Sequence, residues 1–190
     1  SLGSEVFLSR LFRVIMKIRL AKTAGFCMGV RRAMEMTLRI AHHNRGSRIY
    51  TYGPLIHNPQ VQELLESKGV HAVYHIDDVR EGTVVIRAHG ISPDERRKLK
   101  SQPVKVVDAT CPRVARVQSI IKRHAAKNYH IVIVGDEDHP EVRGLKGFAG
   151  NGYTVVSKVQ QIDRIPHAEK LCIVAQTTQR RGEFQDIAEA

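Results

Sequence analysis

Short runs rich in valine and isoleucine alternate with amphipathic helical patterns along most of the chain, and this alternation constrains the fold more than any other feature. The helical pattern is clearest over 28–43, where apolar residues recur at three- and four-residue spacing. The runs at 47–53, 82–88, 103–109 and 129–135 are typical of buried strands. Strands alternating with helices predict βαβ units, so we predict an α/β fold with mainly parallel sheets.

The 190 residues are enough for one large or two small domains, and the pattern restarts near the middle of the chain. We predict two αβα domains, one over 16–108 and one over 109–190. Met16 is a candidate initiator, so we expect residues 1–15 to be a non-native or upstream segment, and an N-terminal amphipathic piece of the fold is the alternative.

Two further segments carry specific local predictions. The segment 17–24 has the character of a strand that leads into the first helix. The segment 140–150 contains internal glycines and is predicted to be a broken helix.

The net charge of +11 fits a basic surface, an anionic small ligand or a nucleic acid. Only five tyrosines, five phenylalanines and no tryptophan are available to stack on bases, which argues against single-strand binding. No apolar run approaches the roughly 18–20 residues of a membrane span, and the start lacks the features of a secretory signal. Three scattered cysteines argue for a reducing compartment, so we expect a cytoplasmic protein without a membrane.

Reactive side chains recur at one kind of place, between the end of a predicted strand and the start of the next helix. These residues are Cys27, His57, His89, Cys111, His139, Glu141, Thr177 and Thr178. In parallel α/β sheets this edge binds ligands, because helix N-termini there stabilise anions, including phosphates and thiolates. The third cysteine, Cys172, lies inside an apolar strand and is expected to pack in the core.

Two cysteines and several histidines at one edge are compatible with three kinds of chemistry. Zinc sites usually pair ligands that are close in sequence, whereas Cys27 and Cys111 are far apart. Dispersed cysteines from separate loops fit an iron–sulfur cluster at least as well. Nucleophilic Cys–His catalysis is the third option, but it does not explain two equivalent cysteines.

Six blocks in a fixed order carry a resemblance to a known family: AGFCMGVRRA, GPLIHNPQV, AHGIS, DATCPRV, DEDHPEVRGLKG and AQTT. Together they resemble the IspH/LytB family of 4-hydroxy-3-methylbut-2-enyl diphosphate reductases, from about Met16 to Thr178. The resemblance implies two of the three pseudo-symmetric αβα domains of that fold. It implies an iron–sulfur oxidoreductase that removes the substrate hydroxyl as water, giving isopentenyl and dimethylallyl diphosphate. This is the last step of the methylerythritol phosphate route to isoprenoids in bacteria.

The resemblance also implies roles for the residues that bind and protonate the substrate. His57, His89 and His139 match histidines that hold the diphosphate. His139, Glu141 and Thr177 match catalytic residues, with Glu141 as the acid that delivers protons. At a helix start, Glu141 would need burial or a nearby anion to remain protonated.

The same resemblance predicts a cofactor and an electron donor. Cys27 and Cys111 match two of three cysteines that bind a 4Fe–4S cluster, and the third lies in a domain after the Thr-Thr block. Cys172 precedes that block and does not match, so we expect a truncated reductase that is incomplete for activity. The electron donor is expected to be ferredoxin or flavodoxin, whose acidic surfaces suit a basic chain.

Two other classes of function remain as alternatives. A non-catalytic basic module that binds anions or RNA would agree with the net charge, and its binding would weaken steeply with salt in a gel-shift assay. A zinc-binding regulatory protein would contain zinc without sulfide after anaerobic purification.

The resemblance predicts how much cluster the chain can hold. After anaerobic reconstitution, the 190-residue chain should retain little iron and sulfide, because it supplies two of three cysteine ligands. A chain extended through the third domain should hold four irons. Iron and sulfide analysis measures both, and a stable stoichiometric cluster in the 190-residue chain would contradict this ligand assignment.

Overall fold

The computed structural model describes residues 18–190 apart from Leu20, Thr23 and Arg45, so the predicted segment 1–15 lies outside the described residues. The strands are β1 Ile49–Tyr52, β2 Val70–Val73, β3 Thr83–Ile86, β4 Lys105–Asp108, β5 His130–Val134, β6 Tyr153–Val156 and β7 Leu171–Ala175. The helices are α1 Met28–His43, α2 Pro59–Ser67, α3 Pro93–Lys100, α4 Pro112–Ala125, α5 Pro140–Ala149 and α6 Arg181–Glu189. Short 3₁₀ turns occupy Ile76–Asp78 and Val159–Arg164.

The strands form two sheets, with orders β2-β1-β3-β4 and β6-β5-β7. Every strand pair in both sheets is parallel, which confirms the predicted α/β class. Because the strands of each sheet run in one direction, their carboxyl ends meet at one edge of that sheet. The loops that leave β1, β3 and β4 are therefore neighbours, although they are distant in sequence.

The first sheet is covered by helices on both faces. Val85 points into a core formed with α1 and α2, and its neighbours Val84 and Ile86 point into a second core with α3. All three side chains are fully buried. Burial on both faces explains why β3 is apolar at successive positions instead of alternating with polar residues.

The second sheet has the same three-layer construction. In β5, Ile131 and Ile133 pack against α4 and α5, whereas Val132 and Val134 face α6. The αβα layering therefore occurs twice, although the domain boundary at 108/109 stays a prediction. In the part of the chain that the structure describes, no helix has the length and apolar content needed to cross a bilayer.

Four of the helices begin with proline directly after the N-cap residue. The cap and proline pairs are Asn58–Pro59, Ser92–Pro93, Cys111–Pro112 and His139–Pro140. Proline fixes the backbone of the first helical turn and pushes the preceding residue into an extended conformation. The side chain at the cap therefore lies at the exposed end of the helix, where chemistry is possible.

The predicted strand at 17–24 is wrong for the residues that the structure describes. Ile18, Arg19, Ala21, Lys22 and Ala24 carry no strand, while the other residues of the segment lie outside the described set. A strand needs a partner, and both edges of the first sheet are formed by β2 and β4. Ile18 is 82% exposed, so its apolar side chain contributes nothing to either core.

The predicted break in the helix at 140–150 is also wrong, because α5 runs without interruption to Ala149. Its glycines allow close packing instead of a break. A Cβ on Gly147 would lie 2.5 Å from Ser92 Cβ, and one on Gly144 would lie 3.6 Å from the backbone of Ile91. The two glycines let α5 approach the start of α3, which brings the two sheets together.

This close approach predicts the effect of a methyl group at Gly147. Gly147→Ala should lower the free energy of unfolding by about 1–2 kcal/mol. A contact as close as 2.5 Å puts the overpacking cost in the upper part of its usual range, at about 2–3 kcal/mol, and alanine recovers about 1 kcal/mol of helix propensity. Urea unfolding measures the change. Gly182→Ala in α6 is the matched control, because its new methyl group meets open space and should stabilise the chain.

Candidate active site

Three histidines from three different loops meet at the carboxyl edge of the strands, and we call His57, His89 and His139 the histidine cluster. The ring centroids lie 5.0 Å apart for His57 and His89, 5.3 Å for His89 and His139, and 6.1 Å for His57 and His139. His57 and His89 follow strands of the first sheet, whereas His139 follows β5 of the second. The cluster therefore lies where the two sheets meet.

His139 is fixed by the helix that it caps. Its Nδ1 accepts a hydrogen bond from the backbone N–H of Glu141, at 3.1 Å. A backbone N–H can only donate, so the Nδ1 of this ring carries no proton while the bond is made. The neutral ring is then protonated on Nε2, which leaves that N–H free to donate to a ligand.

Glu141 lies in the first turn of α5 and is 1% exposed. Its carboxylate accepts two hydrogen bonds from Thr177, one from the backbone N–H and one from the hydroxyl, both at 2.8 Å. Burial raises the pKa of Glu141, and the two bonds from Thr177 oppose that rise. A buried carboxyl group with a raised pKa is suited to holding and delivering a proton.

Both predicted cluster cysteines sit at helix N-caps and are free thiols. Neither side chain makes a capping hydrogen bond, so both sulfur atoms are available to other partners. The Sγ of Cys111 lies directly against Gly29, where an added Cβ would clash with it. Gly29 is two residues after Cys27, so the start of α1 lies beside the start of α4.

Backbone hydrogen bonds join the loops that carry these residues. The N–H of Cys111 donates to Ala88 O at 2.9 Å, and the N–H of Ala88 donates to Leu55 O at 3.2 Å. A further bond at 3.2 Å runs from Arg32 Nη1 in α1 to Thr110 O. These contacts fix the loops of His57, His89 and Cys111 relative to one another.

Two rings of the histidine cluster, His89 and His139, are driven toward their neutral form. The pKa of His89 falls to about 4, chiefly because burial penalises the charged ring and also because His139 and His57 repel it. Arg87 adds to this repulsion. The pKa of His139 is lowered as well, mainly by burial and then by His57, although the carboxylate of Asp136 opposes the shift. His89 and His139 therefore offer neutral hydrogen-bond donors instead of fixed positive charge.

Sequence reasoning missed two polar side chains next to the cluster. Arg87 Nε and Gln118 Nε2 are buried without a hydrogen-bond partner, as is His89 Nδ1. Gln118 is 5% exposed, and a Cβ on Gly90 would lie 2.5 Å from its Nε2. For Arg87, the sequence did contain a signal, because this charged residue directly follows the apolar run that forms β3. Buried polar groups without partners are unusual in folded proteins and mark places where a ligand can bind.

The remaining predicted residues, Thr178 and Cys172, lie apart from the histidine cluster in the hydrogen bonds and packing of the described residues. Thr178 accepts a hydrogen bond at 2.7 Å from Gln176 Nε2, and it has no contact with Glu141 among the hydrogen bonds of the described residues. Cys172 is buried in β7, which confirms its expected packing role, and burial raises the pKa of its thiol.

The side chains at this edge include donors for a metal group. Two thiols at helix N-termini suit an iron–sulfur cluster, since cysteine thiolates are its usual ligands. Within the described ranges, no three His, Cys, Asp or Glu side chains are grouped so as to hold a single metal ion, so the zinc alternative gains no support. The donors therefore fit two ligand positions of a cluster.

The structure thus brings the predicted residues together through a chain of contacts. His57, His89 and His139 touch one another, His139 is bonded to Glu141, and Glu141 is bonded to Thr177. Cys111 is tied to the loop of His89, and Cys27 is placed beside it through α1. Their roles in binding and catalysis remain predictions.

A family model described as LytB protein matches residues 18–190. The relatives include proteins named 4-hydroxy-3-methylbut-2-enyl diphosphate reductase. The one from Alkaliphilus oremlandii is 41% identical over 86% of this chain and 58% of its own length. The one from Opitutus terrae is 42% identical over 92% of this chain and 64% of its own length. The chain spans about three fifths of the length of such relatives.

Two solved structures resemble this one. The E-1-hydroxy-2-methyl-but-2-enyl-4-diphosphate reductase from Plasmodium falciparum superposes with a TM-score of 0.83 at 31% identity, over 88% of this chain and 54% of that protein. An (E)-4-hydroxy-3-methyl-but-2-enyl diphosphate reductase, described as the terminal enzyme of the non-mevalonate pathway, superposes with a TM-score of 0.80 at 36% identity. This superposition covers 90% of this chain and 62% of that protein.

The lowered pKa of His89 predicts a specific titration. Its ring should protonate with a midpoint near pH 4 in an NMR titration. An unfolded chain takes up this proton at about pH 6.5, so the free energy of unfolding should fall as the pH drops from about 6.5 to 4. His89→Asn should flatten this part of the stability curve. A midpoint at or above 6.5 would contradict the burial of the ring.

Proposed function

The chain belongs to the LytB protein family, and we propose that it forms the substrate-binding and proton-donating part of a 4-hydroxy-3-methylbut-2-enyl diphosphate reductase. The reaction replaces the allylic hydroxyl group by hydrogen. It consumes two electrons and two protons, and it releases water together with isopentenyl or dimethylallyl diphosphate. The convergence of the histidine cluster, Glu141 and two cysteines at one edge carries this proposal.

The histidine cluster binds the diphosphate of the substrate. Its rings come from three loops and lie 5.0–6.1 Å apart, a spacing that allows several rings to donate to one phosphate group. The Nε2–H of His139 is free for this purpose, because its Nδ1 is held by the backbone of α5. Hydrogen bonds to a charged phosphate are stronger than those between neutral groups.

Cys27 and Cys111 would hold a 4Fe–4S cluster, with a third ligand from the region of the longer relatives that this chain does not match. When bound, such a cluster would pass the two electrons of an external donor to the substrate one at a time, and its iron would act as a Lewis acid on the hydroxyl group. The helix N-termini at both cysteines favour the thiolate that binding requires.

Glu141 delivers protons to the reacting end of the substrate. Burial favours its protonated form, while the two hydrogen bonds from Thr177 fix the orientation of its carboxyl group. Thr177 is exposed at the surface of the site, so it links the buried acid to bound ligand and water.

The reduction requires an electron donor, and a ferredoxin or flavodoxin with an acidic surface fits the net charge of +11. The cysteines Cys27, Cys111 and Cys172 are all free, in agreement with a reducing bacterial cytoplasm.

The role of Glu141 is tested by Glu141→Gln, which keeps the shape of the side chain and removes its acidic proton. In a form of the protein extended to the length of its relatives, kcat should fall by about 100-fold or more with a chemical reductant as donor. Glu137→Gln is the matched control, because Glu137 lies four residues away, is exposed and pairs with Lys146 at 3.1 Å. Equal activity of the two variants would refute the proton-donor role.

A further inference from the structure

Two rings of the histidine cluster, His89 and His139, offer a diphosphate no positive charge. Burial lowers the pKa of both His89 and His139, so these rings are neutral near pH 7. Neutral donors bind a diphosphate less strongly than cations do, because the attraction between charges is missing. A site for this ligand therefore needs a permanent cation close to the rings.

Arg87 lies two residues before His89, and its charge is felt by both His89 and His139. It follows β3 directly, in the loop that also contacts Cys111 and Leu55 through the backbone of Ala88. Its Nε is buried without a hydrogen-bond partner, and burial lowers the pKa of its guanidinium. Arg87 as a whole is half-buried, and a buried N–H donor without a partner is costly to the fold.

Among the described residues, no carboxylate forms an ion pair with this cation, although the more distant charge of Glu95 favours its charged form. The arginine ion pairs in the described part of the chain involve Arg48, Arg96, Arg97 and Arg143. The nearby carboxylate of Glu95 is already occupied: Oε1 accepts from the Tyr52 hydroxyl at 3.1 Å, and Oε2 accepts from the backbone and hydroxyl of Ser92.

The structure makes room for the guanidinium at the site. Gly53 has a positive φ of 68°, and a Cβ at this position would collide with Arg87 Nη1. The absence of a side chain at Gly53 therefore lets Arg87 lie over the loop that leads to His57. The Tyr52 ring is 6.0 Å away, at the outer limit of a cation–π contact, so it holds the guanidinium only weakly.

We propose that Arg87 is a further anion-binding residue of this site, where it supplies the fixed positive charge that holds a phosphate group beside His89 and His139. The planar guanidinium can donate two parallel hydrogen bonds to one phosphate, which a lysine cannot do. The bound anion also provides the partner that Arg87 Nε lacks. This inference rests on the proposed diphosphate site.

The test uses inorganic pyrophosphate as the probe and the 190-residue chain without metal, with affinities from titration calorimetry. Arg87→Gln should weaken pyrophosphate binding at least tenfold, and Arg87→Lys should recover part of that loss, because it keeps the charge without the paired donors. Arg97→Gln is the matched control: Arg97 is an exposed arginine paired with Asp94, so its loss should change the affinity less than twofold.

A measurement on the unmodified chain guards against variants that fail to fold. The Arg87 Nε–H resonance should move downfield when pyrophosphate is added, because its buried proton gains an acceptor. The role of Arg87 is overturned if the Arg87→Gln variant folds but binds pyrophosphate as tightly as the unmodified chain. It is also overturned if the Arg87 Nε–H resonance does not move.

A third variant distinguishes this inference from the proposed function. If His89→Asn weakens pyrophosphate binding while Arg87→Gln does not, the diphosphate site stands and only the role of Arg87 is wrong. If the unmodified chain does not bind pyrophosphate, the diphosphate site and the role of Arg87 both fall.

Discussion

Backbone hydrogen bonds between the loops at the carboxyl edge of the first sheet hold the whole site together. The parallel ladder of β3 and β4 continues beyond the strands, through Ala109 N–H to Ile86 O and Cys111 N–H to Ala88 O. On the other side, Ala88 N–H reaches Leu55 O in the loop of His57. Because each loop is tied to the next, side chains from distant parts of the sequence keep fixed positions.

The second sheet completes the site by close contact instead of by hydrogen bonding between strands. The absence of a side chain at Gly144 and Gly147 lets α5 rest on Ile91 and Ser92, at the start of α3. This contact brings His139, at the N-cap of α5, within 5.3 Å of the His89 ring. A side chain at Gly147 would collide with Ser92, so the close helix packing there helps to set the shape of the histidine cluster.

Burial then decides the protonation states on which the chemistry depends. The same loss of water that lowers the pKa of His89 raises the pKa of Glu141, because each group is driven toward its neutral form. The result is that the neutral rings of His89 and His139 lie near the buried acid Glu141. Arg87 keeps its charge in these surroundings, since guanidinium groups are not deprotonated in proteins.

The sequence predicted the elements that depend on local pattern. The helix over 28–43, the N-caps before prolines such as Pro93 and Pro112, and the parallel strands agree with the structure. The strand at 17–24 was wrong for the described residues, because apolar character alone does not provide a pairing partner. The break in α5 was wrong as well, because the glycines respond to a neighbouring element that is distant in sequence.

The sequence by itself determined which residues lie at the ends of strands and the starts of helices, because spacing, proline and capping residues act over a few positions. Only the tertiary structure decided that Glu141 bonds to Thr177, that the histidine rings meet, and that Arg87 Nε is buried without a hydrogen-bond partner. Those facts depend on how two sheets pack, and packing is set by shapes and distances between segments that a linear pattern does not contain.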